Sequence, residues 1–322
     1  MIGITAGDPA GIGPEITLKA LSRTDSSRFL IYSDPEVIFR TAHLCGISAE
    51  RIRILSAGER AEAGCFNVRA VRSLCGRPYE MGEVSADCGQ ASYDYIKSAA
   101  QDALDRKISL ICTAPVNKVS LRLARVPFIG HTEILASLLG ADDPLTMFQT
   151  GRLRVFFLTR HVALRKACEM VTYERLVSYI PRCIKALESL KVRGPLAVAG
   201  LNPHCGENGL FGTEEREIER AVEACRKKGL DVIGPFGADS VFTQCLRGKF
   251  AAVLSLYHDQ GHIACKTLDF DRTISLTLGM KVLRLSVDHG TAFDIAGRGC
   301  ADETGMCEVL SSALDFEREL NI

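Results

Sequence analysis

The stretch PLAVAGLNPHCGENGLFGTEEREIERAVEACRKKG, residues 195–229, predicts one complete strand, loop and helix unit. Its first part is a continuous apolar run, which is typical of a strand buried on both faces. Its last part is an amphipathic helix, because Ile218, Val222 and Cys225 repeat at helical spacing. Thr213 precedes this run and is a candidate N-cap. The long glycine-containing loop between strand and helix is of a kind that usually carries function or is simply flexible.

Similar short apolar runs recur along the chain, and helical patterns lie between them. The runs are IGIT (2–5), FLIYS (29–33), SLICT (109–113), RVFFLT (154–159) and AAVLSLY (251–257). Continuous apolar strands that alternate with helices indicate an α/β fold with a mainly parallel sheet covered on both faces. A length of 322 residues with 47% apolar side chains favours two packed domains over one.

Composition argues against several functional classes. The 39 basic and 39 acidic residues cancel, so a nucleic-acid or membrane-surface partner is disfavoured. The N-terminal sequence MIGITAGDPAG does not resemble a signal peptide, and no apolar run is long enough to span a membrane, so we expect a cytoplasmic protein. Thirteen cysteines without a CxxC motif favour buried free thiols over a disulfide framework.

Three histidines follow three of the predicted strands. His161 follows RVFFLT, His204 follows AVAGLN and His258 follows VLSLY. The carboxyl ends of parallel strands meet at one edge of a sheet, where ligands bind in open α/β folds. Three imidazoles at such an edge can converge on one metal ion, whereas a single histidine at a strand end is ordinary.

The stretch YHDQGHIACK, residues 257–266, places two histidines four residues apart. They could share a helix face as paired ligands, but Gly261 and the strand immediately before argue against a helix. We therefore assign only His258 to the metal and give His262 a supporting or structural role. Lys266 is either a cation in reach of the same site or a solvated surface lysine.

Two other motifs suit an anion. GDPAGIGPE (7–15) is a glycine and proline loop before a helix that opens at Pro14, and it is either a phosphate-binding loop or a structural turn. GHTE (130–133) places His131 and Thr132 at a helix start, where free N–H groups suit a phosphate or carboxylate. The alternative for GHTE is an ordinary N-cap with an acidic first turn.

SVDHGTAFDIAGRG, residues 286–299, is the longest motif. A strand end is followed by His289, Gly290 and Thr291, and then by a predicted helix. A glycine after the histidine lets the backbone approach a flat group, and Asp294 could accept hydrogen bonds from ribose hydroxyls. The alternative is a capped turn with a buried polar pair.

Together these motifs resemble the 4-hydroxythreonine-4-phosphate dehydrogenase family of vitamin B6 (pyridoxine) biosynthesis, in consistent order from residue 3 to about residue 303. That family is similar to the isocitrate and isopropylmalate dehydrogenases. The resemblance implies two α/β/α domains with mainly parallel sheets and an active site in the cleft between them. We expect a cofactor-side domain of residues 1–125 and 280–322, and a metal, substrate and dimerisation domain of residues 126–279.

The resemblance also implies roles for individual residues. The ligands of one divalent metal (Zn, Mg, Co or Mn) are His161, His204 and His258. The substrate contacts are His131, Thr132, Lys266, Ser275 and Arg284. The segment that holds NAD or NADP contains Asp288, His289, Gly290, Thr291, Ala292 and Asp294. A homodimer is implied in which the metal site draws ligands from both subunits, and His262 is not among the family's ligands.

The implied activity is that of an NAD(P)-dependent 3-hydroxy-acid dehydrogenase (decarboxylating). Its expected substrate is a 4-phosphorylated 3-hydroxy acid, in the first instance 4-phosphohydroxy-L-threonine, which would yield 3-amino-2-oxopropyl phosphate. A metal held by neutral imidazoles would lower the pKa of the substrate hydroxyl. Lys266, with Asp239 of GADSVF, is the candidate for proton transfer or charge balance.

Two departures from the family pattern leave the substrate open. Ser275 stands where the B6 enzymes have asparagine, and TAPVNK (113–118) looks more like paralogues associated with other four-carbon phosphorylated sugar acids. A paralogue acting on D-threonate or D-erythronate 4-phosphate, or on a cis-dihydrodiol carboxylate, is therefore an alternative. A non-catalytic metal-dependent binding protein is an alternative of another class, although retention of the three histidines and the cofactor segment argues against it.

Overall fold

The computed structural model describes residues 1–56, 59 and 61–322. Two compact units are present, a first unit of residues 1–144 and 280–322 and a second unit of residues 145–279. The boundary at residue 280 agrees with the sequence-based expectation. The segment 126–144, expected in the second domain, belongs instead to the first unit, because the helix within it packs on a long helix of that unit.

The first unit contains six strands and six helices among the residues described. Its strands are β1 (Ile2–Thr5), β2 (Phe29–Ser33), β3 (Ile52–Ile54), β4 (Phe66–Ala70), β5 (Leu110–Thr113) and β12 (Leu283–Val287). Its helices are α1 (Gly13–Leu21), α2 (Pro35–Leu44), α3 (Ala86–Leu104), α4 (Lys118–Leu123), α5 (His131–Leu139) and α11 (Thr304–Leu320). The strands lie in the order β3-β4-β2-β1-β5-β12, and every neighbouring pair is parallel.

The second unit has six strands and five helices in its described residues. Its strands are β6 (Leu145–Thr150), β7 (Leu153–Phe157), β8 (Leu196–Ala199), β9 (Val232–Phe236), β10 (Ala252–Ser255) and β11 (Ile274–Leu278). Its helices are α6 (Leu164–Glu169), α7 (Tyr173–Ser189), α8 (Glu215–Lys227), α9 (Ala238–Leu246) and α10 (His258–Leu268). The order is β11-β6-β7-β10-β8-β9, in which only β6 runs antiparallel to its neighbours.

Burial of the strands follows from their apolar runs. Every residue of β1, β2, β5, β8 and β10 is buried. Successive side chains of a strand point to opposite faces, so a fully buried strand must be covered on both. In the first unit α3 packs on β1, β2 and β5, and α11 packs on β5 and β12. An α/β fold with mainly parallel sheets is thus confirmed.

Helix α8 forms where the sequence predicts it. Ile218, Val222 and Cys225 are buried, as their spacing predicts. The prediction that Thr213 caps the helix is wrong, because the helix begins two residues later and Glu214 takes the N-cap position.

Gly261 does not prevent a helix, contrary to the sequence-based expectation. Helix α10 begins at His258 and includes Gly261. A Cβ on Gly261 would lie 2.5 Å from Cε1 of Phe157 and 2.8 Å from Cγ1 of Val155, both on β7. The glycine therefore allows close packing of α10 on the sheet.

Substitution of Gly261 by alanine should lower the free energy of unfolding by about 1–3 kcal/mol, since the added methyl group overpacks the contact with β7. Gly290→Ala is the control, because no described atom lies within 4 Å of a Cβ there. Urea denaturation of the two variants measures the effect. Equal stability of Gly261→Ala and wild type would show that α10 can move away from the sheet.

Two composition-based expectations concern cysteines and membranes. All thirteen cysteines lie in the described part of the chain and are free thiols, six of them buried. Among the described residues, no helix combines the length and apolar character that crossing a membrane requires.

Candidate active site

Three adjacent strands of the second unit lead to the histidines that the sequence singles out. Strands β7, β10 and β8 lie side by side and parallel, so the loops to His161, His258 and His204 leave the same edge of the sheet. The hydroxyl of Thr159 donates to the carbonyl of Leu256 at 2.8 Å and joins the first two loops. The rings of His161 and His258 consequently lie 5.6 Å apart, centre to centre.

The imidazole of His258 is oriented by its sequence neighbour. Nδ1 of His258 lies 2.7 Å from Oδ1 of Asp259. A carboxylate can only accept this hydrogen bond, so Nδ1 carries a proton, and in the neutral imidazole the lone pair is then on Nε2. A carboxylate behind the distal nitrogen is the usual support of a metal-binding histidine. This geometry makes Nε2 of His258 a suitable metal donor.

His262 lies one helical turn after His258, on the same face of α10. Their rings are stacked with centres 3.6 Å apart and planes 11° apart. The lone pair of an imidazole nitrogen lies in the ring plane, and two such planes 3.6 Å apart do not meet at one ion. The prediction that the two histidines do not share a helix face is therefore wrong. Their stacked geometry nevertheless does not favour His262 as a second metal ligand.

His204 lies in a loop of unusual backbone conformation. Residues His204 to Asn208 all have φ between +43° and +75°, although only Gly206 among them is a glycine. The side chain of His204 is exposed. Within the described residues, no group of three His, Cys, Asp or Glu side chains is placed to hold a metal.

Two side chains anchor the start of the His204 loop. Oε1 of the buried Glu215 accepts from the backbone N–H groups of Leu201 at 2.9 Å and Asn202 at 2.6 Å. Nε2 of Gln260, on α10, donates to the carbonyl of Gly200 at 2.8 Å. Neither contact is visible in the local sequence pattern, because both depend on tertiary packing.

The donor set suits a divalent metal in part. His161 and His258 are brought together, and His204 follows the neighbouring strand. Neutral imidazoles are common ligands of Zn. The pair fits as two ligands of such an ion, and the third histidine stays a prediction.

A second group of site residues lies in the first unit, at the start of α5. The N-cap of α5 is Gly130, which has no side chain to satisfy the free N–H groups of the first turn. The alternative for GHTE, an N-cap with an acidic first turn, is present as Gly130 followed by Glu133, although no side chain caps the helix. His131 and Thr132 occupy the helix start as predicted. Free N–H groups at a helix N-terminus favour an anion.

Arg284 supplies a buried positive charge in this unit. Its Nε and Nη2 atoms donate to the hydroxyl of Thr113 at 3.0 and 2.9 Å. Burial lowers the pKa of Arg284 to about 10, while the charge of Glu133 opposes the decrease. The guanidinium therefore stays protonated at neutral pH.

His131 is held neutral beside this charge. Burial, followed by the charge of Arg284, keeps the pKa of His131 well below its usual value, and a hydrogen bond to the backbone of Ala114 opposes this. Its Nε2 atom is buried and has no hydrogen-bond partner in the part of the chain that the structure describes. Nε2 is therefore available to a ligand.

Lys118, in the motif TAPVNK, is a cation for which the motif alone indicates no role. The preceding Asn117 caps α4, because its Oδ1 accepts from the N–H groups of Val119 at 2.9 Å and Ser120 at 3.0 Å. Cε of Lys118 lies 3.9 Å from the position of a Cβ on Gly130. The exposed ammonium thus lies near the start of α5.

The expected helix after His289 does not form. Residues 288–299, all of them described, make turns, and the next helix is α11. Ala292 has φ of +41°, which is incompatible with a right-handed helix. The polar side chains of His289 and Asp294 are exposed, and that of Asp288 is half-buried.

This segment packs on the GDPAGIGPE loop. The carbonyl of Thr291 accepts from the N–H of Ile12 at 3.0 Å, and a Cβ on Gly11 would lie 2.9 Å from Cβ of Thr291. Helix α1 contains Pro14 in its first turn, as predicted. A Cβ on Gly290 would meet open space among the described atoms. The backbone there is accessible to a flat group such as a cofactor ring.

The remaining site candidates lie in the second unit. Nζ of Lys266 lies 4.9 Å from the ring centre of Phe270. Asp239, in the first turn of α9, and Asp259 line a cavity of about 700 Å³. Ser275 on β11 is half-buried. These positions are compatible with ligand contact and do not by themselves assign a role.

Asp8, which follows β1 in GDPAGIGPE, is a buried carboxyl group without an assigned role. Its Oδ1 accepts from the N–H of Ala10 at 2.9 Å, and its buried Oδ2 lacks a partner among the described residues. Burial raises the pKa of Asp8 to about 6, and the hydrogen bond from Ala10 opposes this increase.

The raised pKa of Asp8 predicts a pH-dependent stability. The folded protein binds this proton more tightly than the unfolded chain does. The resulting contribution of Asp8 to the free energy of unfolding is therefore present below about pH 4 and is lost as pH rises through about 6. Between pH 4 and pH 8, the unfolding free energy of wild type should fall by about 3 kcal/mol relative to Asp8→Asn. Parallel urea titrations measure this difference, and a pH-independent difference would contradict the pKa assignment.

The sequence model of the family described as "Pyridoxal phosphate biosynthetic protein PdxA" matches residues 25–313. The chain belongs to this family. The resemblance drawn from the motifs is thereby confirmed, and dehydrogenases of the family are oxidoreductases.

Three proteins are similar to this chain over nearly its whole length. A Fusobacterium nucleatum protein, provisionally named D-threonate 4-phosphate dehydrogenase, is 50% identical over 98% of this chain and 96% of its own length. The structure of 4-hydroxythreonine-4-phosphate dehydrogenase from Klebsiella pneumoniae has a TM-score of 0.89 and 37% identity, covering 98% of this chain and 99% of that one. Terephthalate 1,2-cis-dihydrodiol dehydrogenase from Burkholderia xenovorans has a TM-score of 0.66 and 28% identity, covering 99% and 97%.

Proposed function

We propose that this member of the PdxA family oxidises and decarboxylates a 4-phosphorylated 3-hydroxy acid, with NAD or NADP as oxidant and one divalent metal ion. D-Threonate 4-phosphate is the proposed substrate. The observation that carries the proposal is the imidazole of His258, whose distal nitrogen is held by Asp259 and whose Nε2 is left as a donor beside His161.

The reaction balances as follows. NAD or NADP, which residues 288–294 would hold, would accept the hydride of the C3–H bond, while the C3 hydroxyl loses a proton. The resulting 3-keto acid loses carbon dioxide, and the electron pair of the broken bond remains on C2, which takes up a proton. From D-threonate 4-phosphate the products are dihydroxyacetone phosphate, carbon dioxide and the reduced cofactor.

The residues of this chain have separate tasks in the proposed reaction. A divalent ion, which His258 and His161 would help to hold, would supply Lewis acidity to the substrate hydroxyl. Asp259 keeps His258 in the tautomer that can bind the ion. Arg284 and the free N–H groups of α5 bind the phosphate. Lys266 supplies or accepts the proton, with Asp239 as the proposed partner for charge balance.

The cofactor is assigned to residues 288–294 in this proposal. Support comes from the open space beside Gly290 and from the exposed carboxylate of Asp294, which suits ribose hydroxyls. A cytoplasmic homodimer with a shared metal site is proposed from the sequence resemblance. A shared site accords with two histidines, rather than three, being gathered within the described part of one chain.

The substrate choice rests on Ser275 and on the similar proteins. The Fusobacterium relative is more similar to this chain than the Klebsiella structure is. Ser275 also replaces an asparagine of the B6 enzymes with a shorter side chain that lacks an amide donor. We therefore rank D-threonate 4-phosphate above 4-phosphohydroxy-L-threonine, the first expectation from sequence.

Wild-type kcat/KM should be about 10–100-fold higher with D-threonate 4-phosphate than with 4-phosphohydroxy-L-threonine, since a lost hydrogen bond to a charged group costs about 1.5–3 kcal/mol. Ser275→Asn should narrow this ratio. Ser311→Asn, on an exposed position of α11, is the control. A wild-type preference for the threonine derivative that Ser275→Asn leaves unchanged would refute the substrate choice.

Two rival functions give different outcomes in simple assays. A cis-dihydrodiol dehydrogenase would reduce NAD with a cyclic dihydrodiol carboxylate and not with phosphorylated acids. A binding protein would bind metal and ligand without reducing NAD. The lower identity to the Burkholderia enzyme, 28%, favours the phosphorylated substrate over the first rival.

A further inference from the structure

We propose that His262 is a positioning residue that fixes the ring plane of His258 for metal binding. The inference rests on the proposed metal-dependent function and extends it to a residue that no similarity assigns. The juxtaposition that carries it is the parallel stack of the two imidazoles, with centres 3.6 Å apart and planes 11° apart.

The ring of His258 needs such a restraint. Its hydrogen bond to Asp259 fixes the tautomer, but the side chain of Asp259 is 71% exposed, so water competes for that carboxylate. The side chain of His258 is itself 36% exposed. Since the donor lone pair lies in the ring plane, rotation of the ring swings Nε2 away from the ion. The stack on one ring face opposes that rotation.

The ring of His262 is itself fixed in three ways. Its Nδ1 donates to the carbonyl of His258 at 2.9 Å. Its ring lies against those of Phe148 and Phe157, with centres 4.3 and 4.4 Å away. The adjacent Gly261 allows α10 to pack closely on β7, and this contact holds the helix in place on the sheet. Because His262 is fixed against the sheet, its stack with His258 restrains the exposed imidazole of His258.

The flat face of His262 is the property that matters in this arrangement. Leucine at position 262 would fill the space between the phenylalanines without offering a planar surface, whereas phenylalanine would keep the stack and lose only the Nδ1 hydrogen bond. Supporting residues behind a metal ligand typically change metal affinity by about 10–100-fold. The two substitutions therefore separate positioning from packing.

Titration of the full-length, metal-stripped protein with Co²⁺, or with Zn²⁺ against a chromophoric chelator, tests the proposal. His262→Leu should bind about 10–100-fold more weakly than wild type, and His262→Phe within about threefold of it. Phe250→Leu is the packing control, because Phe250 belongs to the same buried core and should leave the affinity unchanged. A folded His262→Leu protein with the metal affinity of wild type would overturn this inference but not the metal assignment.

Two further outcomes separate this inference from the function on which it rests. Absence of binding by wild type, or wild-type affinity in His258→Ala, would overturn the metal assignment and the inference together. The stack is also testable without any variant, by NMR of the metal-free protein. Ring protons of His258 should be shifted upfield by the ring current of His262, and unshifted positions would contradict the stack.

Discussion

His258→Ala should lower kcat/KM by on the order of 10³ and remove stoichiometric metal binding, because it deletes the donor that Asp259 orients. Nε2 of this residue is the best-prepared metal donor among the described histidines, with its proton held on Nδ1 at 2.7 Å from the carboxylate. Metal content by mass spectrometry of the intact protein and steady-state kinetics measure the two effects.

His43→Ala is the matched control for His258→Ala. His43 is an exposed histidine of α2, in the first unit, and its loss should change neither metal content nor activity. Full metal content with normal kinetics in His258→Ala would show that the ion, or the reaction, does not depend on this imidazole.

Arg284→Lys should lower kcat/KM for the phosphorylated acid by about 10–100-fold, mainly through KM, because lysine cannot reproduce the planar guanidinium fork. Arg284 is 6% exposed and its guanidinium stays charged at neutral pH, so it meets an anion in a poorly hydrated setting. The loss should be smaller for the corresponding acid without phosphate, if Arg284 contacts the phosphate group.

Arg122→Lys, at an exposed position of α4, provides the control for a change from arginine to lysine. Thermal unfolding of both variants separates binding from folding effects. An equal loss for the phosphorylated and the unphosphorylated acid would reassign Arg284 to another part of the substrate or to stability alone.

The alternation of strands and helices could be predicted because it depends on local pattern. Runs such as AAVLSLY are apolar at every position, which only a strand covered on both faces accommodates well. The edge shared by the histidine loops followed from the same reasoning, since adjacent parallel strands end together. The order β7-β10-β8 confirms that step.

The failures of sequence-based prediction have tertiary causes. Gly261 reads as a helix breaker, yet it is a contact point between α10 and β7. The segment after His289 looks helical, but it follows the surface of the GDPAGIGPE loop, and Ala292 leaves the helical region. The segment 126–144 joins the first unit because α5 packs on α3. None of these contacts is visible in a local pattern.

The same distinction applies to the candidate site. Motifs indicate His131 and His258, whereas Arg284 is implied only by the family resemblance. Asp8 and Gln260 also lie within quoted motifs, but the buried carboxyl oxygen of Asp8 and the hydrogen bond from Gln260 to a neighbouring loop depend on packing, which a motif does not show.

Incubation of the metal-loaded protein with D-threonate 4-phosphate and NAD, with reduced cofactor and carbon dioxide followed in the same sample, tests the proposed oxidative decarboxylation. We predict that both form in equal amounts, one of each for every acid consumed, and that a chelator abolishes both. Reduced cofactor without carbon dioxide, or neither product from any four-carbon phosphorylated hydroxy acid, would contradict the proposed oxidative decarboxylation.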